Sequence, residues 1–224
     1  LTETSPIISV NRPRNLKFGT VGQIIPGVEV KIADDGEILA RGPNIMKGYY
    51  KNEAATAEAI DSDGFFHTGD IGELDGDGFL KITDRKKDII VTAGGKNIAP
   101  QLIEGRLKTN AYIAEIVVVG NKRKFPAALV VPDFEKLTVW CARHSIAADS
   151  PDAMAAHPRV TEFILAEIES LSSGFAQYER IKKITVLAKG FTIEDGELTP
   201  TLKVKRRVIE SRYKGLIEEM YAPT

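Results

Sequence analysis

The tetrapeptide His-Thr-Gly-Asp at residues 67–70 combines a flexible main chain with a carboxylate. Gly69 has no side chain, so the backbone there can approach a ligand closely. Asp70 adds two acceptor oxygens, which suit the adjacent hydroxyl groups of a ribose. A surface turn is the simpler explanation of an isolated Thr-Gly-Asp, so this motif needs support from elsewhere in the chain.

Two further segments carry charged residues that could contact a ligand, and the first of them also carries a pair of glycines. Residues 82–100 read Ile-Thr-Asp-Arg-Lys-Lys-Asp-Ile-Ile-Val-Thr-Ala-Gly-Gly-Lys-Asn-Ile-Ala-Pro, and residues 199–207 read Thr-Pro-Thr-Leu-Lys-Val-Lys-Arg-Arg. Taken alone, the charges indicate solvated surface, and the Gly-Gly pair indicates an ordinary tight turn. No aromatic residue lies among the basic residues at 203–207, so nucleic-acid bases would have no stacking platform there.

Metal sites and covalent nucleophiles are not indicated. His67, His144 and His157 are scattered, and no His, Cys or carboxylate spacing is typical of a zinc site. The sequence also lacks a recognisable Ser-His-Asp or Cys-His arrangement. Cys141 is the single cysteine, which excludes an internal disulfide and fits a reducing compartment such as the cytoplasm.

The composition is that of a globular protein with nearly balanced charge. Lys and Arg total 30 and Asp and Glu total 31, so no overall field favours nucleic acid or an anionic membrane. The longest apolar runs, at residues 116–119 and 127–131, are far shorter than the roughly 20 residues that span a bilayer. The chain starts at Leu1 without a signal-peptide pattern, and we expect an excised piece of a longer protein.

The first part of the chain has the pattern of short strands separated by turns. Strand-like runs occur at residues 28–32, 37–41, 71–74 and 79–83. The motif at residues 67–70 is expected at a strand end, and residues 34–36 and 76–78 favour tight hairpin turns. One helix is expected from Asn52, a capping residue, through an alanine-rich segment to Ile60.

The pattern of apolar residues changes after residues 84–88, which we therefore take as a domain boundary. Beyond it, helices of 3.6-residue periodicity alternate with strands, an α+β pattern. Helices are predicted from Pro100, at residues 133–145 and 158–171, and as one last helix carrying the apolar residues of 209–220. Strands are predicted at residues 113–120, 127–131 and 181–187.

The motifs at residues 67–70, 82–100 and 199–207, together with Leu-Thr-Glu-Thr at residues 1–4, resemble in this order those of one superfamily. It comprises the acyl-CoA synthetases, peptide-synthetase adenylation domains and beetle luciferases. The forms Thr-Asp-Arg-Lys-Lys-Asp and Thr-Pro-Thr-Leu-Lys-Val-Lys-Arg-Arg are most similar to bacterial long-chain fatty-acid:CoA ligases. The resemblance covers essentially the whole chain.

The resemblance implies an α+β fold with three parts. Residues 1–84 would form the β-rich end of the large nucleotide-binding domain, and residues 85–88 the hinge. Residues 89–224 would form a small mobile lid, with a central mixed sheet flanked by helices.

Several nucleotide contacts follow from the same resemblance. Thr2 and Glu3 match a pair that contacts the nucleotide phosphates, and Glu3 would bind Mg²⁺, a hard cation that prefers carboxylate oxygen. Asp70 would hold the ribose hydroxyls. Arg85 would help it, or meet a phosphate with its fork of donors.

Three residues are implied in the movement of the lid and in CoA binding. Lys87 falls at the hinge position, where backbone freedom matters more than side-chain chemistry. Gly94 and Gly95 form a strip without side chains, along which the pantetheine arm of CoA would pass.

Lys203 aligns with the lysine that offsets negative charge in the adenylation step. Many members of the superfamily have Ser-Gly before this lysine, whereas Thr-Leu precedes it here, so Lys205 stays an alternative. The spacing to the Arg-Arg pair at residues 206–207 favours Lys203.

The implied activity is that of a long-chain fatty-acid:CoA ligase using ATP, Mg²⁺ and CoA, with the upstream part of the same chain as a partner. The family's phosphate-binding loop has no counterpart in residues 1–224, so we expect the isolated chain to be inactive. One alternative is an adenylation domain that serves a carrier protein, and another is a non-catalytic protein- or RNA-binding module. We expect a cytoplasmic protein without a nucleic-acid partner; peripheral membrane association, acyl chain length and oligomeric state stay open.

Overall fold

A computed structural model describes residues 1–222 of the chain. The chain divides into two compact units, unit 1 with residues Leu1–Lys87 and unit 2 from Asp88 onward. The division falls inside residues 85–88, for which a hinge is predicted, whereas hinge motion itself stays a prediction. Within residues 1–222, no helix is both long enough and apolar enough to cross a membrane.

Unit 1 is built on an antiparallel sheet of six strands. The strands are β1 (Ser9–Val10), β2 (Gly22–Ile24), β3 (Glu29–Ile32), β4 (Glu37–Arg41), β5 (Phe66–Leu74) and β6 (Phe79–Arg85), and the helix α1 (Glu53–Ala59) lies between β4 and β5 in the chain. The strand order is β1-β2-β6-β5-β4-β3. The two strands β5 and β6, which carry Asp70 and Arg85, are therefore neighbours near the middle of the sheet.

Local sequence signals explain most of these elements. Gly36 has φ 85°, a left-handed conformation that glycine adopts without strain, and it closes the turn between β3 and β4. The side chain of Asn52 accepts a hydrogen bond from Ala55 N, which caps α1 as predicted. One expectation is wrong: residues 67–70 lie inside β5 rather than at a strand end, because β5 pairs with β4 at His67 and again at Ile71, on either side of an irregular stretch.

Unit 2 has a mixed three-stranded sheet surrounded by helices, which confirms the predicted α+β class. Its elements are β7 (Ile90–Val91), β8 (Asn97–Ile98), α2 (Pro100–Leu107), β9 (Ile113–Val119), β10 (Ala127–Pro132), α3 (Phe134–Arg143), α4 (Pro151–Ala155), α5 (Pro158–Leu171), β11 (Lys183–Val186), α6 (Arg206–Arg212) and α7 (Lys214–Tyr221). The strand order is β11-β10-β9, with β10 antiparallel to β9 and parallel to β11. Strands β7 and β8 form a separate hairpin.

The central strand β10 is apolar at every position because both faces of the sheet are covered. Ala128 and Val130 face one core, whereas Ala127, Leu129 and Val131 face another. The first core includes buried residues of α2, α3, α4 and α5, and the second includes Ile209 of α6 and Met220 of α7. This period-2 alternation is the expected geometry of a strand that is buried on both sides.

The C-terminal region differs from the prediction of one last helix. The structure has two, α6 and α7, and the break falls at Tyr213, whose φ of −97° and ψ of 18° leave the helical region. The apolar periodicity continues across the break, so periodicity alone did not reveal it. Tyr213 instead hydrogen-bonds with a buried carboxylate, that of Glu197.

Candidate functional site

Asp70 and Arg85 face each other across β5 and β6, where they are paired in register. Arg85 Nε lies 2.8 Å from Asp70 Oδ1. This contact is an ion pair, and Oδ1 is buried and accepts no hydrogen bond among residues 1–222. A buried acceptor that lacks a donor is rare in folded proteins, and a hydroxyl group of a ligand could satisfy it. The structure thus brings together two residues that the sequence analysis assigned to ribose binding.

Burial is the main influence on the Asp70 carboxyl group. It raises the pKa of Asp70 above its ordinary value, because a charge is less stable away from water, and the Arg85 charge offsets this only in part. Asp70 is 8% exposed. A hydrogen bond donated by a ligand hydroxyl group would therefore stabilise the charged form of this carboxylate.

Thr68 and Gly69 set the direction of Asp70. Thr68 Oγ1 donates to Ile38 O at 2.7 Å and accepts from Asp70 N at 3.1 Å. Gly69 has φ 69° and falls where the pairing of β5 with β4 is irregular. The side-chain hydroxyl therefore replaces regular strand pairing, and the chain can bend at Gly69 without strain.

Glu37 lies behind this motif and was missed by the sequence analysis. The residue is 3% exposed, and its carboxylate has three donors nearby. His67 Nδ1 lies 2.9 Å from Oε2, Gly69 N donates to Oε1 at 3.0 Å, and Lys86 Nζ donates to Oε2 at 2.8 Å. Glu37 is the first residue of β4, where a strand-end carboxylate is ordinary, so its burial had no clear signal in the sequence.

The Glu37 carboxylate is held in its charged form. Burial alone would raise the pKa of Glu37, but hydrogen bonds from Lys86, His67 and the Gly69 N–H outweigh burial and lower it below its usual value. One carboxylate therefore links the strand of Asp70 to the residue that follows Arg85.

The link falls inside residues 85–88, the predicted hinge. Lys86 Nζ also lies 2.7 Å from Asp35 Oδ2, so Lys86 bridges two carboxylates of unit 1. Lys87, the predicted hinge residue, is the last residue of unit 1, and within residues 1–222 its side chain has neither an ion pair nor a hydrogen bond. The main chain of Lys87 lies in a short 3-10 helix, Lys86–Asp88.

Thr2 and Glu3 lie in a short 3-10 helix, Thr2–Thr4. This turn is tied to a loop of unit 1: Met46 N donates to Glu3 O at 2.8 Å, and Tyr49 Oη donates to Glu3 Oε1 at 3.1 Å. The Glu3 carboxylate is partly exposed and keeps a second oxygen for a ligand. Hard carboxylate oxygen suits Mg²⁺, although the described part of the chain contains no group of three or more His, Cys, Asp or Glu that could hold a metal ion.

Gly94 and Gly95 form the turn of the β7–β8 hairpin in unit 2. Gly95 N donates to Thr92 O at 2.9 Å, and Gly95 has φ 73°, which accounts for glycine there. Gly94 has no such requirement. A Cβ added at Gly94 would meet nothing closer than Thr92 Oγ1 at 3.9 Å, so the fold of unit 2 does not explain its missing side chain.

Lys203 lies in a hairpin of unit 2 that is closed by a bridge between Leu198 and Val204. Thr199 N donates to Lys203 O at 2.8 Å, and Lys203 N donates to Thr199 Oγ1 at 3.0 Å. Val204 packs against the core, whereas its neighbours Lys203 and Lys205 are exposed. Both lysines therefore stay candidates for the catalytic role.

Arg206, the next residue, points inward. Its Nη2 lies 2.7 Å from Glu104 Oε1, and its Nη1 donates to Val118 O. The side chains of Arg206 and Glu104 are 10% and 11% exposed. Arg206 therefore anchors the start of α6 and is not part of a free basic surface.

Comparisons with known proteins identify two related families along the chain. Residues 87–224 match the family described as AMP-binding enzyme C-terminal domain, and residues 1–50 match the family described as AMP-binding enzyme. The long-chain-fatty-acid–CoA ligase FadD15 of Mycobacterium bovis is 44% identical over 222 residues. The match covers 99% of this chain but 37% of that ligase, so the chain spans less than half of its relative.

Two solved structures share the fold. The A domain of carboxylic acid reductase from Segniliparus rugosus, in complex with AMP and a co-purified carboxylic acid, has a TM-score of 0.74 and 25% identity. The match covers 89% of this chain and 32% of that one. O-succinylbenzoate CoA synthetase from Bacillus subtilis, in complex with ATP and a magnesium ion, has a TM-score of 0.65 and 27% identity over 92% of this chain and 39% of that one.

Proposed function

The chain belongs to the AMP-binding enzyme family, and from this we propose that it is the C-terminal part of a long-chain fatty-acid:CoA ligase. The 44% identity with a ligase of that name supports the choice within the family. The chain covers 37% of that relative, so the activity belongs to the whole enzyme.

The proposed reaction has two steps. In the first, a carboxylate oxygen of the fatty acid attacks the α-phosphate of MgATP, forming acyl-adenylate and releasing pyrophosphate. In the second, the CoA thiol loses its proton and attacks the acyl carbonyl carbon, and AMP leaves.

The single cysteine, Cys141, is buried and unpaired, which fits a reducing compartment, and we propose the cytoplasm.

The observation that carries the proposal is the pairing of Asp70 with Arg85. Asp70 Oδ1 is buried, accepts no hydrogen bond within residues 1–222 and lies 2.8 Å from a guanidinium nitrogen of Arg85. A ribose hydroxyl can donate to this carboxylate, while Arg85 retains donors for the ribose or a phosphate. Both parts of the nucleotide would thus be recognised from β5 and β6.

The other residues divide between the phosphates and the second step. Thr2 and Glu3 would contact the phosphates, with Glu3 also binding Mg²⁺. Gly94 and Gly95 would leave room for the pantetheine arm of CoA, and the open space at Gly94 supports this role.

Lys203 and Lys87 would separate the two steps. Lys203 is exposed, and its ammonium group would offset the charge that grows on the α-phosphate and carboxylate oxygens. Lys87 would be the pivot at which unit 2 reorients, so that one small domain serves two transition states.

Substitution of Asp70 in the whole enzyme tests the proposal. We expect Asp70→Ala to raise the KM for ATP about tenfold or more, because hydrogen bonds to a charged group contribute about 1.5–3 kcal/mol. Fatty-acid-dependent exchange of pyrophosphate into ATP is the assay. Asp34→Ala is the matched control, since Asp34 is exposed in the turn between β3 and β4. An unchanged KM for ATP in Asp70→Ala would remove Asp70 from the nucleotide site.

A second candidate function is transfer of the acyl group to a carrier protein. The likeness to the A-PCP didomain of a carboxylic acid reductase from Segniliparus rugosus favours it, at 26% identity. Supplying acyl-adenylate with either free CoA or a phosphopantetheinylated carrier protein separates the two. We expect thioester formation with free CoA, and thioester formation with the carrier protein alone would favour the second candidate.

A further inference from the structure

Glu197 is a buried carboxylate in unit 2 that has no assigned role. It is 1% exposed and lies in the loop between β11 and α6. Thr192 N donates to Oε2 at 3.0 Å, and Tyr213 Oη donates to Oε1 at 2.9 Å. Arg212 Nη1 lies 3.4 Å from Oε1, so a positive charge balances the buried carboxylate.

The backbone of Glu197 closes the hairpin that carries Lys203. Lys205 N donates to Glu197 O at 2.8 Å, and Glu197 N donates to Thr192 O at 3.1 Å. The next pair along the hairpin is the bridge between Leu198 and Val204. Lys203 therefore lies inside a loop whose base is fixed at Glu197.

A second carboxylate, that of Asp195, stabilises the same end of the hairpin. Asp195 Oδ2 accepts from Lys189 Nζ at 2.8 Å and from Thr192 Oγ1 at 3.1 Å, and Arg212 Nη2 lies 3.1 Å from Oδ1. Hydrogen bonds from Lys189, Arg212 and Thr192 lower the pKa of Asp195 to about 2, so it stays charged at neutral pH. Arg212 thus links Asp195 and Glu197 to α6.

We propose that Glu197 is a positioning residue for Lys203 in acyl-adenylate formation. The inference rests on the proposed function of Lys203. A lysine on an exposed hairpin has a long flexible side chain, so its ammonium group can be placed accurately only if the backbone beneath it is fixed. Glu197 fixes that backbone from within the unit, by side-chain bonds to Thr192 and Tyr213 and by a main-chain bond to Lys205.

The two half-reactions separate this role from a general contribution to stability. Lys203 would act in the adenylation step alone, so a displaced hairpin should impair that step and spare thioester formation. A loss of folded unit 2 would impair both steps, because Gly94 and Gly95 lie in the same unit.

The test uses Glu197→Gln and Tyr213→Phe in the whole enzyme. Gln keeps the size of Glu but turns an acceptor oxygen into an NH₂ group, which would face Tyr213 or Thr192 as a second donor. Phe keeps the ring of Tyr213 in the core and removes only the hydroxyl group. Glu194→Gln is the matched control, because Glu194 is exposed in the same loop.

We expect Glu197→Gln to lower kcat for pyrophosphate exchange between about tenfold and 100-fold, the scale on which small displacements act. The KM for ATP should stay unchanged, and Tyr213→Phe should shift kcat in the same direction by less. Thioester formation from supplied acyl-adenylate should stay within about twofold of the unsubstituted enzyme. Glu194→Gln should behave as the unsubstituted enzyme in both assays.

Lys203→Ala, measured in parallel, distinguishes the failure of this inference from that of the proposed function. If Lys203→Ala loses exchange while Glu197→Gln and Tyr213→Phe keep it, Glu197 does not position the lysine and the proposed function stands. If Lys203→Ala keeps exchange, the role of the lysine fails and the inference fails with it. Equal losses in both half-reactions, together with a lower Tm, would make Glu197 a structural residue only; if Glu197→Gln does not fold, Tyr213→Phe decides.

Discussion

Lys86 Nζ lies 2.8 Å from Glu37 Oε2, and this ion pair joins the last residues of unit 1 to the interior of its sheet. The two residues are 49 positions apart in the chain. Because Glu37 also contacts His67 and the N–H of Gly69, the pair connects the start of the predicted hinge to the strand that carries Asp70. The pair thus ties the first part of the predicted hinge, residues 85–88, to the sheet of unit 1.

Removal of the Lys86 charge should destabilise unit 1. We expect Lys86→Met to lower the free energy of unfolding by about 1–3 kcal/mol, because a buried carboxylate loses one of its donors. Lys86→Arg should restore most of the loss. The matched control is Lys81→Met, which breaks an exposed pair with Glu73 and should cost less than about 1 kcal/mol. Urea unfolding measures all three, and equal effects of Lys86→Met and Lys81→Met would contradict the assignment.

The lowered pKa of Glu37 predicts an acid-sensitive contribution to stability. Since the folded-state pKa lies below 4.5, the unfolded state binds the proton more readily. The contribution of Glu37 is therefore complete above pH 4.5 and is lost as the pH falls through the folded-state pKa. Urea unfolding between pH 7 and pH 3 should show a steeper loss for the unsubstituted chain than for Glu37→Gln. A parallel decline of the two would show that another group is responsible.

The two glycines of the β7–β8 turn should respond differently to alanine. Gly95→Ala forces a left-handed conformation on alanine and should cost about 1–2 kcal/mol of stability. Gly94→Ala has open space for the added methyl group and should leave the Tm nearly unchanged. In the whole enzyme, however, Gly94→Ala should raise the KM for CoA and not that for ATP. An unchanged KM for CoA would end the proposed role of Gly94 in binding the pantetheine arm.

Local patterns predicted much of the fold. The strand at residues 37–41 and the helix at residues 158–171 match β4 and α5 in their bounds, because turn residues directly precede the strand and the helix has a clear apolar face. Pro100 begins α2, as a proline at a first helical position predicts. The α+β class followed from such signals and from the resemblance.

Contacts between distant residues could not be predicted in this way. Glu37 meets His67 and Lys86, which lie 30 and 49 residues away, and nothing in its immediate neighbours distinguishes it from a strand-end carboxylate. Tyr213 was assigned to the apolar face of one helix, yet its hydroxyl group reaches Glu197, 16 residues earlier, where the helix breaks. In both cases a buried carboxylate is bonded to side chains far away in the chain, which a local sequence pattern does not show.

Alanine substitution of Lys203 and Lys205 should distinguish the two candidate lysines. Each is exposed beside the partly buried Val204, but the main chain of Lys203 is bonded at both N–H and C=O to Thr199, whereas the main-chain N–H of Lys205 donates to Glu197 O. We expect Lys203→Ala to lower pyrophosphate exchange by about 10²- to 10³-fold, the effect of losing one donor at a developing charge. Thioester formation from supplied acyl-adenylate should survive. Lys205→Ala serves as the matched control and should retain both half-reactions, and the reverse result would transfer the adenylation role to Lys205.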